Sequence, residues 1–154
     1  MPLEPGDPAP DFTLLDQNGE PFMLSESLER RKASHLIYFY PKADTPGCTQ
    51  QACGLRDVAG EVGDTVIVGV SPDPPQRQAR FDQKYGLGFP LLSDKDHAVA
   101  EAYGVWGEKS MYGRRYMGIV RSAFLVDGEG TVVAAWPKVS PKDTAKNLLA
   151  ALAS

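Results

Sequence analysis

Residues 35–58 read HLIYFYPKADTPGCTQQACGLRDV and contain both cysteines of the 154-residue chain. The first six residues are apolar on both faces, as is typical of a strand in the middle of a sheet that is covered on both sides. Further along, Thr45, Pro46 and Gly47 form a good helix start, with Thr as the N-cap and Pro at the first helical position. The stretch therefore predicts a central strand, a loop and a helix that carries both cysteines.

Cys48 falls in the first turn of the predicted helix. Backbone N–H groups in that turn lack partners within the helix and the helix macrodipole is positive there, so the thiolate form is favoured over the thiol. A free cysteine can instead be an ordinary small buried residue. The position of Cys48 favours a reactive thiol, whereas for Cys53 both interpretations stay open.

Cys53 follows Cys48 by five positions. On a regular helix this spacing turns the second side chain by about 140° and places the two Cα atoms roughly 8.7 Å apart. That distance exceeds the ~7 Å limit for a disulfide without backbone movement, so a disulfide between them requires local unwinding. The spacing argues against a thioredoxin-type pair. With only His35 and His97 as further ligands, it also argues against a zinc site.

The composition indicates one acidic domain. A chain of 154 residues can bury a useful core, and its net charge of -4 offers no basic surface for nucleic acid or anionic membranes. No secretory signal is visible, and no apolar run approaches the length of a membrane span. We expect a cytoplasmic protein, in which two cysteines are more often catalytic or redox-active than structural.

Strand-like and helix-like patterns alternate along the chain and predict an α/β fold. Strand–helix–strand units imply right-handed crossovers and a mainly parallel centre, and a final hairpin adds antiparallel strands, so we expect a mixed central β-sheet flanked by helices. The predicted elements are, in order, an extended lead-in at 1–10, a hairpin at 12–24, a surface helix at 25–32, strands at 35–40, 65–70 and 89–92, helices after Thr45, Pro74 and the cap Ser93, a long lid or docking loop at 107–118, a hairpin at 121–136 and a helix after Ser140.

Pro41, Thr45 and Cys48, with three and then two residues between them, resemble the signature of the peroxiredoxins. The sequence TPGCTQQACGLRD resembles their Q-type subgroup, also called bacterioferritin comigratory protein. GVSPD at 69–73, FPLLSD at 89–94, YGVWGEK at 103–109 and RSAFLVDGEG at 121–130 resemble the same subgroup in order and spacing. The resemblance implies a thioredoxin-like fold with an N-terminal β-hairpin extension, in a single domain over residues 1–154.

The resemblance also implies an activity, that of a thiol peroxidase in antioxidant defence. Cys48 would attack the O–O bond of hydrogen peroxide or an organic hydroperoxide and become a sulfenic acid. Cys53 would then form an intrachain disulfide with it, and a thioredoxin- or glutaredoxin-like dithiol would restore both thiols. No metal, haem, flavin or nicotinamide motif is present, so no cofactor is expected. The resemblance further implies a monomer.

Such a reaction needs donors for the charge that develops on the leaving oxygen. The backbone N–H groups of Gly47 and Cys48 and the hydroxyl of Thr45 are available, and as the N-cap Thr45 would keep its proton free to donate. Peroxiredoxins add a guanidinium from a later strand, and Arg121 is the matching position. Its alternative role is a surface strand residue or a partner for Asp127.

Pro41 also has two interpretations. It can simply end the strand, because proline cannot donate a ladder hydrogen bond; the resemblance implies that it shields Cys48 from bulk water.

Two other functional classes stay open as well. One is a general thiol–disulfide oxidoreductase, and the other is a redox-sensing module in which a Cys48–Cys53 switch remodels a docking surface at 111–117. Inert thiols in a structural domain would react slowly with alkylating agents.

Overall fold

The computed structural model describes residues 2–153, so Met1 of the predicted lead-in and Ser154 of the predicted domain lie outside the described residues. The strands are β1 (Thr13–Leu15), β2 (Pro21–Met23), β3 (His35–Phe39), β4 (Val66–Ser71), β5 (Leu91–Ser93), β6 (Trp106–Met111), β7 (Arg114–Ile119), β8 (Ser122–Val126) and β9 (Val132–Trp136). The helices are α1 (Leu24–Arg31), α2 (Pro46–Val58), α3 (Pro75–Tyr85), α4 (Ala98–Ala102) and α5 (Thr144–Leu152), with short 3-10 helices at Ala59–Glu61 and Pro141–Asp143. None of the helices within residues 2–153 is both long and apolar enough to cross a membrane.

Within residues 2–153, seven strands form one mixed sheet in the order β2-β1-β5-β4-β3-β8-β9. The three central strands β5, β4 and β3 are parallel. The β1–β2 hairpin joins β5 on one side, and β8 and β9 continue the sheet beyond β3 on the other, all in antiparallel pairing. The predicted mixed sheet with a parallel centre and an N-terminal hairpin is confirmed.

β3 lies at the centre of the core, and all of its residues are buried. Because side chains alternate across a strand, its residues join two apolar clusters. Leu36 and Tyr38 pack in the cluster that contains Ala52 and other residues of α2, and Ile37 belongs to the cluster on the opposite face. Helix α2 therefore packs on one face of the sheet, and the loop before it leaves the carboxyl end of a central strand, where open α/β folds place their ligand sites.

The predicted loop at 107–118 is wrong, because this stretch is the β-hairpin β6–β7. Its strands pair from Trp106 with Ile119 to Met111 with Arg114. The turn at Tyr112 and Gly113 has φ of 53° and 78°, and positive φ at both central residues is the geometry of a two-residue hairpin turn. The strands are largely exposed, so no buried face imposes the apolar–polar alternation that predicts a strand.

Two predicted helix starts also differ. Ser93 is the last residue of β5 and does not cap α4; instead the carboxylate of Asp94 accepts hydrogen bonds from the backbone N–H groups of Val99 (3.2 Å) and Ala100 (2.9 Å). A carboxylate placed one turn before the helix satisfies two of its N–H groups, whereas the buried Ser93 hydroxyl has no hydrogen-bond partner among the described residues. After Ser140 the chain first forms a 3-10 turn, and α5 begins three residues later than the predicted helix.

Candidate active site

The buried carboxylate of Asp73 anchors the loop between β3 and α2. The N–H of Ala43 donates a 2.7 Å hydrogen bond to Oδ2 of Asp73. The same oxygen accepts the hydroxyl of Ser71 at 2.7 Å, and Arg77 forms an ion pair with Oδ1 at 3.0 Å. Asp73 therefore ties the loop to the carboxyl end of β4 and to the start of α3.

Asp44 provides a second anchor for the same loop. Its backbone is left-handed, with φ of 61°, and its carboxylate accepts hydrogen bonds from Nζ of Lys84 at 3.0 Å and the hydroxyl of Tyr85 at 2.9 Å. The hydrogen bond from Lys84 is the main reason that the pKa of Asp44 lies below its usual value. Helix α3 thus fixes both the middle and the end of the loop.

Pro41 stands where the strand pairing of β3 ends. The preceding residue, Tyr40, still donates its N–H to the carbonyl of Val70 at 3.0 Å, and Pro41 has no N–H to continue the ladder. Its side chain is half-buried. The structure therefore places Pro41 at the point where the chain leaves the sheet and enters the loop.

Thr45 occupies the N-cap position of α2, with φ of -95° and ψ of 158°. The predicted cap is nevertheless wrong in its side-chain bonding. No side-chain cap hydrogen bond forms at this end of the described helix, and the Thr45 hydroxyl donates its proton to the carbonyl of Lys42 at 2.8 Å. The proton predicted to be free is therefore used, and the hydroxyl oxygen keeps its capacity to accept.

Cys48 is the third residue of α2, and its side chain is 1% exposed. It lies in the first turn, where the N–H groups of Gly47 and Cys48 have no acceptor within the helix. The predicted first-turn placement of the thiol is confirmed. A buried sulfur at the positive end of a helix is well placed to carry negative charge.

Arg121 reaches this thiol from the residue before β8. Its Nη1 atom lies 3.3 Å from Sγ of Cys48 and donates a 2.8 Å hydrogen bond to Oε1 of Gln51. The alternative partner, Asp127, accepts hydrogen bonds from backbone N–H groups of its own hairpin turn. The structure therefore brings Arg121 and Cys48 together across 73 positions of sequence.

Gln51 is a site residue that sequence reasoning missed. Its side chain is fully buried, and its Nε2 donates a 2.9 Å hydrogen bond to the hydroxyl of Thr144 in α5. Apolar spacing in α2 identifies Ala52 and Leu55 but passes over a polar residue. The signal was its position three residues after Cys48, because residues three apart lie on the same helix face.

Cys53 lies further along the same continuous helix, and both cysteines are free thiols. Its half-buried side chain packs against the cluster that contains Tyr38. Burial raises the pKa of Tyr38 well above its usual value, and its hydroxyl finds no hydrogen-bond partner among the described residues. The wound helix therefore keeps Cys53 on the apolar sheet face.

A second basic side chain lies near Arg121. Lys109 of β6 donates from Nζ to the carbonyl of Ile119 at 2.8 Å. Burial is the main cause that lowers the pKa of Lys109, and the positive charge of Arg121 lowers it further. The β6–β7 hairpin therefore contributes to the positive potential around Cys48.

The assembled side chains suit one kind of chemistry. A buried thiol faces a guanidinium and a helix N-terminus, so an anionic sulfur and a second developing negative charge can both be stabilised there. A small electrophile fits these requirements if its leaving group departs with a negative charge. Among the described residues, no cluster of three or more His, Cys, Asp or Glu side chains offers a metal site.

Comparison with known proteins gives matches along most of the chain. The family model of the AhpC/TSA family matches residues 5–135. A putative peroxiredoxin bcp of Haemophilus influenzae is 51% identical over 144 residues, which are 92% of this chain and 91% of that protein. The peroxiredoxin Bcp of Escherichia coli is 50% identical over 133 residues, which are 85% of this chain and 83% of that protein.

Solved structures share the fold. Peroxidoxin BcpB of Mycobacterium tuberculosis has a TM-score of 0.84 at 36% identity, over 98% of this chain and 97% of its own. The bacterioferritin comigratory protein of Xanthomonas campestris, studied for its alkyl peroxide reduction activity, has a TM-score of 0.83 at 38% identity, over 92% of this chain and 90% of its own. A PrxQ variant of Xylella fastidiosa has a TM-score of 0.90 at 29% identity, over 99% of this chain and 97% of its own. The predicted thioredoxin-like fold is confirmed.

Proposed function

Because this chain belongs to the AhpC/TSA family and is a peroxiredoxin of the Bcp type, a thiol peroxidase with two cysteines, we propose that Cys48 is its peroxidatic nucleophile and Cys53 its resolving thiol. The observation that carries this assignment is the 3.3 Å contact between Nη1 of Arg121 and Sγ of Cys48. A guanidinium in that position stabilises a thiolate and also the charge that develops during its attack.

In the first step, the Cys48 thiolate attacks one oxygen of the hydroperoxide. The O–O bond breaks, the S–O bond forms, and the leaving oxygen departs as hydroxide or alkoxide and takes a proton from water. Arg121 and the N–H groups of Gly47 and Cys48 stabilise the leaving oxygen. The hydroxyl oxygen of Thr45 accepts a hydrogen bond from the peroxide, because the hydroxyl proton is donated to the carbonyl of Lys42.

In the second step, the Cys53 thiol attacks the sulfenic sulfur, the S–S bond forms and water leaves. The spacing of the two cysteines on one continuous helix means that α2 must first unwind locally. A dithiol of the thioredoxin or glutaredoxin type then supplies two electrons and two protons and restores both thiols. Pro41 shields the Cys48 thiolate from bulk water in the wound state.

Hydrogen peroxide and organic hydroperoxides are the substrates of this antioxidant enzyme. The alkyl peroxide reduction activity in the description of the Xanthomonas campestris relative supports the organic class. The protein acts as a single domain and a monomer, because both cysteines belong to one helix and the chemistry needs no second subunit. Two free thiols suit the reducing conditions of the cytoplasm.

The test is stopped-flow reaction of the reduced protein with a small excess of hydrogen peroxide, followed by Trp fluorescence. We expect the wild type to react much faster than a free thiol and Cys48→Ser to be silent. Cys53→Ser should consume one equivalent of peroxide and stop at the sulfenic acid. If wild-type Cys48 reacts no faster than a free thiol, the assignment fails.

A further inference from the structure

Thr144 is a buried polar residue at the first position of α5 that the proposed reaction does not use. We propose that Thr144 is a positioning residue for Arg121 and acts through Gln51; this rests on the proposed roles of Cys48 and Arg121. Three consecutive hydrogen bonds carry the inference. Arg121 donates to Gln51 at 2.8 Å, Gln51 donates to Thr144 at 2.9 Å, and Thr144 donates to the carbonyl of Ser140 at 3.1 Å.

The hydrogen bond from Thr144 to Ser140 fixes the direction of the other two hydrogen bonds. The carbonyl of Ser140 can only accept, so the single proton of the Thr144 hydroxyl is used there. The hydroxyl oxygen can then only accept from Gln51. This places the NH₂ end of the Gln51 amide toward Thr144 and its oxygen toward Arg121.

The orientation of Gln51 matters because Arg121 has no acceptor atoms. A flipped amide would present its NH₂ group to the guanidinium, leave both donors unpaired in a buried place and push the guanidinium away from Cys48. An unpaired buried donor is costly, especially beside a charge. The hydroxyl of Thr144 therefore selects the one amide orientation that holds Nη1 of Arg121 against Sγ of Cys48.

The same short segment also holds the main chain of Arg121. The N–H of Val139 donates a 3.0 Å hydrogen bond to the carbonyl of Arg121. Residues 139–144 thus fix the backbone of Arg121 directly and its guanidinium through Gln51. The side-chain hydrogen bonds of Arg121 are made to α2, at Cys48 and Gln51, and Thr144 of α5 in turn holds Gln51.

The experiment measures the rate constant for oxidation of Cys48 by hydrogen peroxide in the Cys53→Ser background, which isolates the first step. We expect Thr144→Val to slow this step about tenfold, the size expected when one hydrogen bond to a charged group is lost. Thr144→Ser, which keeps the hydroxyl, should retain the wild-type rate. Thr144→Ala gives the same test if Thr144→Val does not fold.

A second background separates positioning from simple destabilisation. Gln51→Glu presents oxygen atoms on both sides, so its orientation no longer matters to Arg121. Thr144→Val should therefore change the rate less than about twofold when Gln51→Glu is present. This non-additivity is the coupling between the two residues that a double-mutant cycle measures. A merely structural Thr144 would slow both backgrounds equally.

The outcomes are distinct. If wild-type Cys48 reacts fast and Thr144→Val reacts equally fast, the role of Thr144 is overturned while the peroxidase assignment stands. Equal slowing by Thr144→Val and Thr144→Ser, or equal slowing with and without Gln51→Glu, also overturns it. If wild-type Cys48 is no faster than a free thiol, the peroxidase assignment itself fails, and the role of Thr144 fails with it.

Discussion

Gly47 lies so close to Arg121 that a Cβ atom at position 47 would be 3.0 Å from Nη2 of the guanidinium. The same Cβ atom would lie 3.4 Å from Cγ of Pro141. The absence of a side chain at position 47 therefore lets the guanidinium lie against the first turn of α2. A substitution at position 47 therefore tests how closely the guanidinium must approach this turn.

Gly47→Ala should slow the oxidation of Cys48 by about tenfold, as expected when a hydrogen bond to a charged group is weakened, because the added methyl group displaces the guanidinium. The free energy of unfolding should fall as well, because the displaced guanidinium leaves the buried Oε1 of Gln51 without its donor, and the higher helix propensity of alanine offsets only part of this loss. Stopped-flow oxidation in the Cys53→Ser background and urea unfolding measure the two quantities. A wild-type rate in Gly47→Ala would show that the guanidinium does not need this space.

Gly54→Ala is the matched change on the same helix. A Cβ there would meet Cβ of Ala145 at 3.8 Å, an ordinary contact, and the helix should gain about 1 kcal/mol over glycine. We expect unchanged oxidation of Cys48 but slower formation of the Cys48–Cys53 disulfide, by about fivefold, because the wound helix is stabilised against unwinding. The slow phase of Trp fluorescence after peroxide addition reports this step. An unaltered slow phase would mean that unwinding does not limit it.

Asp73→Asn should loosen the loop before α2. The substitution removes the charge from a buried side chain whose Oδ2 accepts hydrogen bonds from Ala43 and Ser71. We expect a loss of about 1–3 kcal/mol in the free energy of unfolding and slower oxidation of Cys48. Asp44→Asn is the control, since its partners are exposed and such pairs contribute little. Equal effects of the two variants would contradict the central role of Asp73.

His35 should make stability depend on pH. The buried ring contacts the hydroxyl of Ser27 at 2.7 Å and the carbonyl of Ala33 at 3.0 Å, and burial is the main cause that lowers its pKa from 6.5. Below pH 6.5 the unfolded chain takes up a proton that the folded chain resists. The free energy of unfolding should therefore fall as pH decreases below 6.5 and stay constant above it, with a slope of at most about 1.4 kcal/mol per pH unit.

Urea unfolding at pH 7.5 and pH 5 measures this slope. His35→Gln should remove the part of it that His35 contributes. His97→Gln is the matched change at the second histidine of the chain, whose ring stacks on Trp106. An identical slope in His35→Gln would assign the pH dependence to other groups.

The central strand, the loop and the helix with Cys48 in its first turn were predictable, because each has a local signal. An apolar run marks β3, and a Thr-Pro-Gly step marks the start of α2. The β6–β7 hairpin was not predictable in this way. Its strands pair with each other in a separate two-stranded sheet and are largely exposed, so no continuous burial pattern distinguishes them from a loop.

The polar contacts inside the site were not predictable from the sequence either. The Thr45 hydroxyl donates to the carbonyl of Lys42 and makes no cap hydrogen bond, and a Thr-Pro-Gly step does not indicate which of these contacts the folded turn forms. Gln51 and Thr144 are 93 positions apart, so neither side chain indicates its partner. Arg121 was identified by resemblance, whereas the residues that hold it were visible only in three dimensions.

The wide separation of these partners in sequence has a consequence during biosynthesis. A growing chain on the ribosome carries Cys48 long before it carries Arg121, and Arg121 before Ser140 and Thr144. Until residues 139–144 have emerged and docked on α2, Gln51 lacks its acceptor on Thr144 and the carbonyl of Arg121 lacks the N–H of Val139. Because we propose that these bonds orient the guanidinium for the reaction of Cys48, we expect full reactivity toward peroxide only in chains that have been translated and folded through the start of α5.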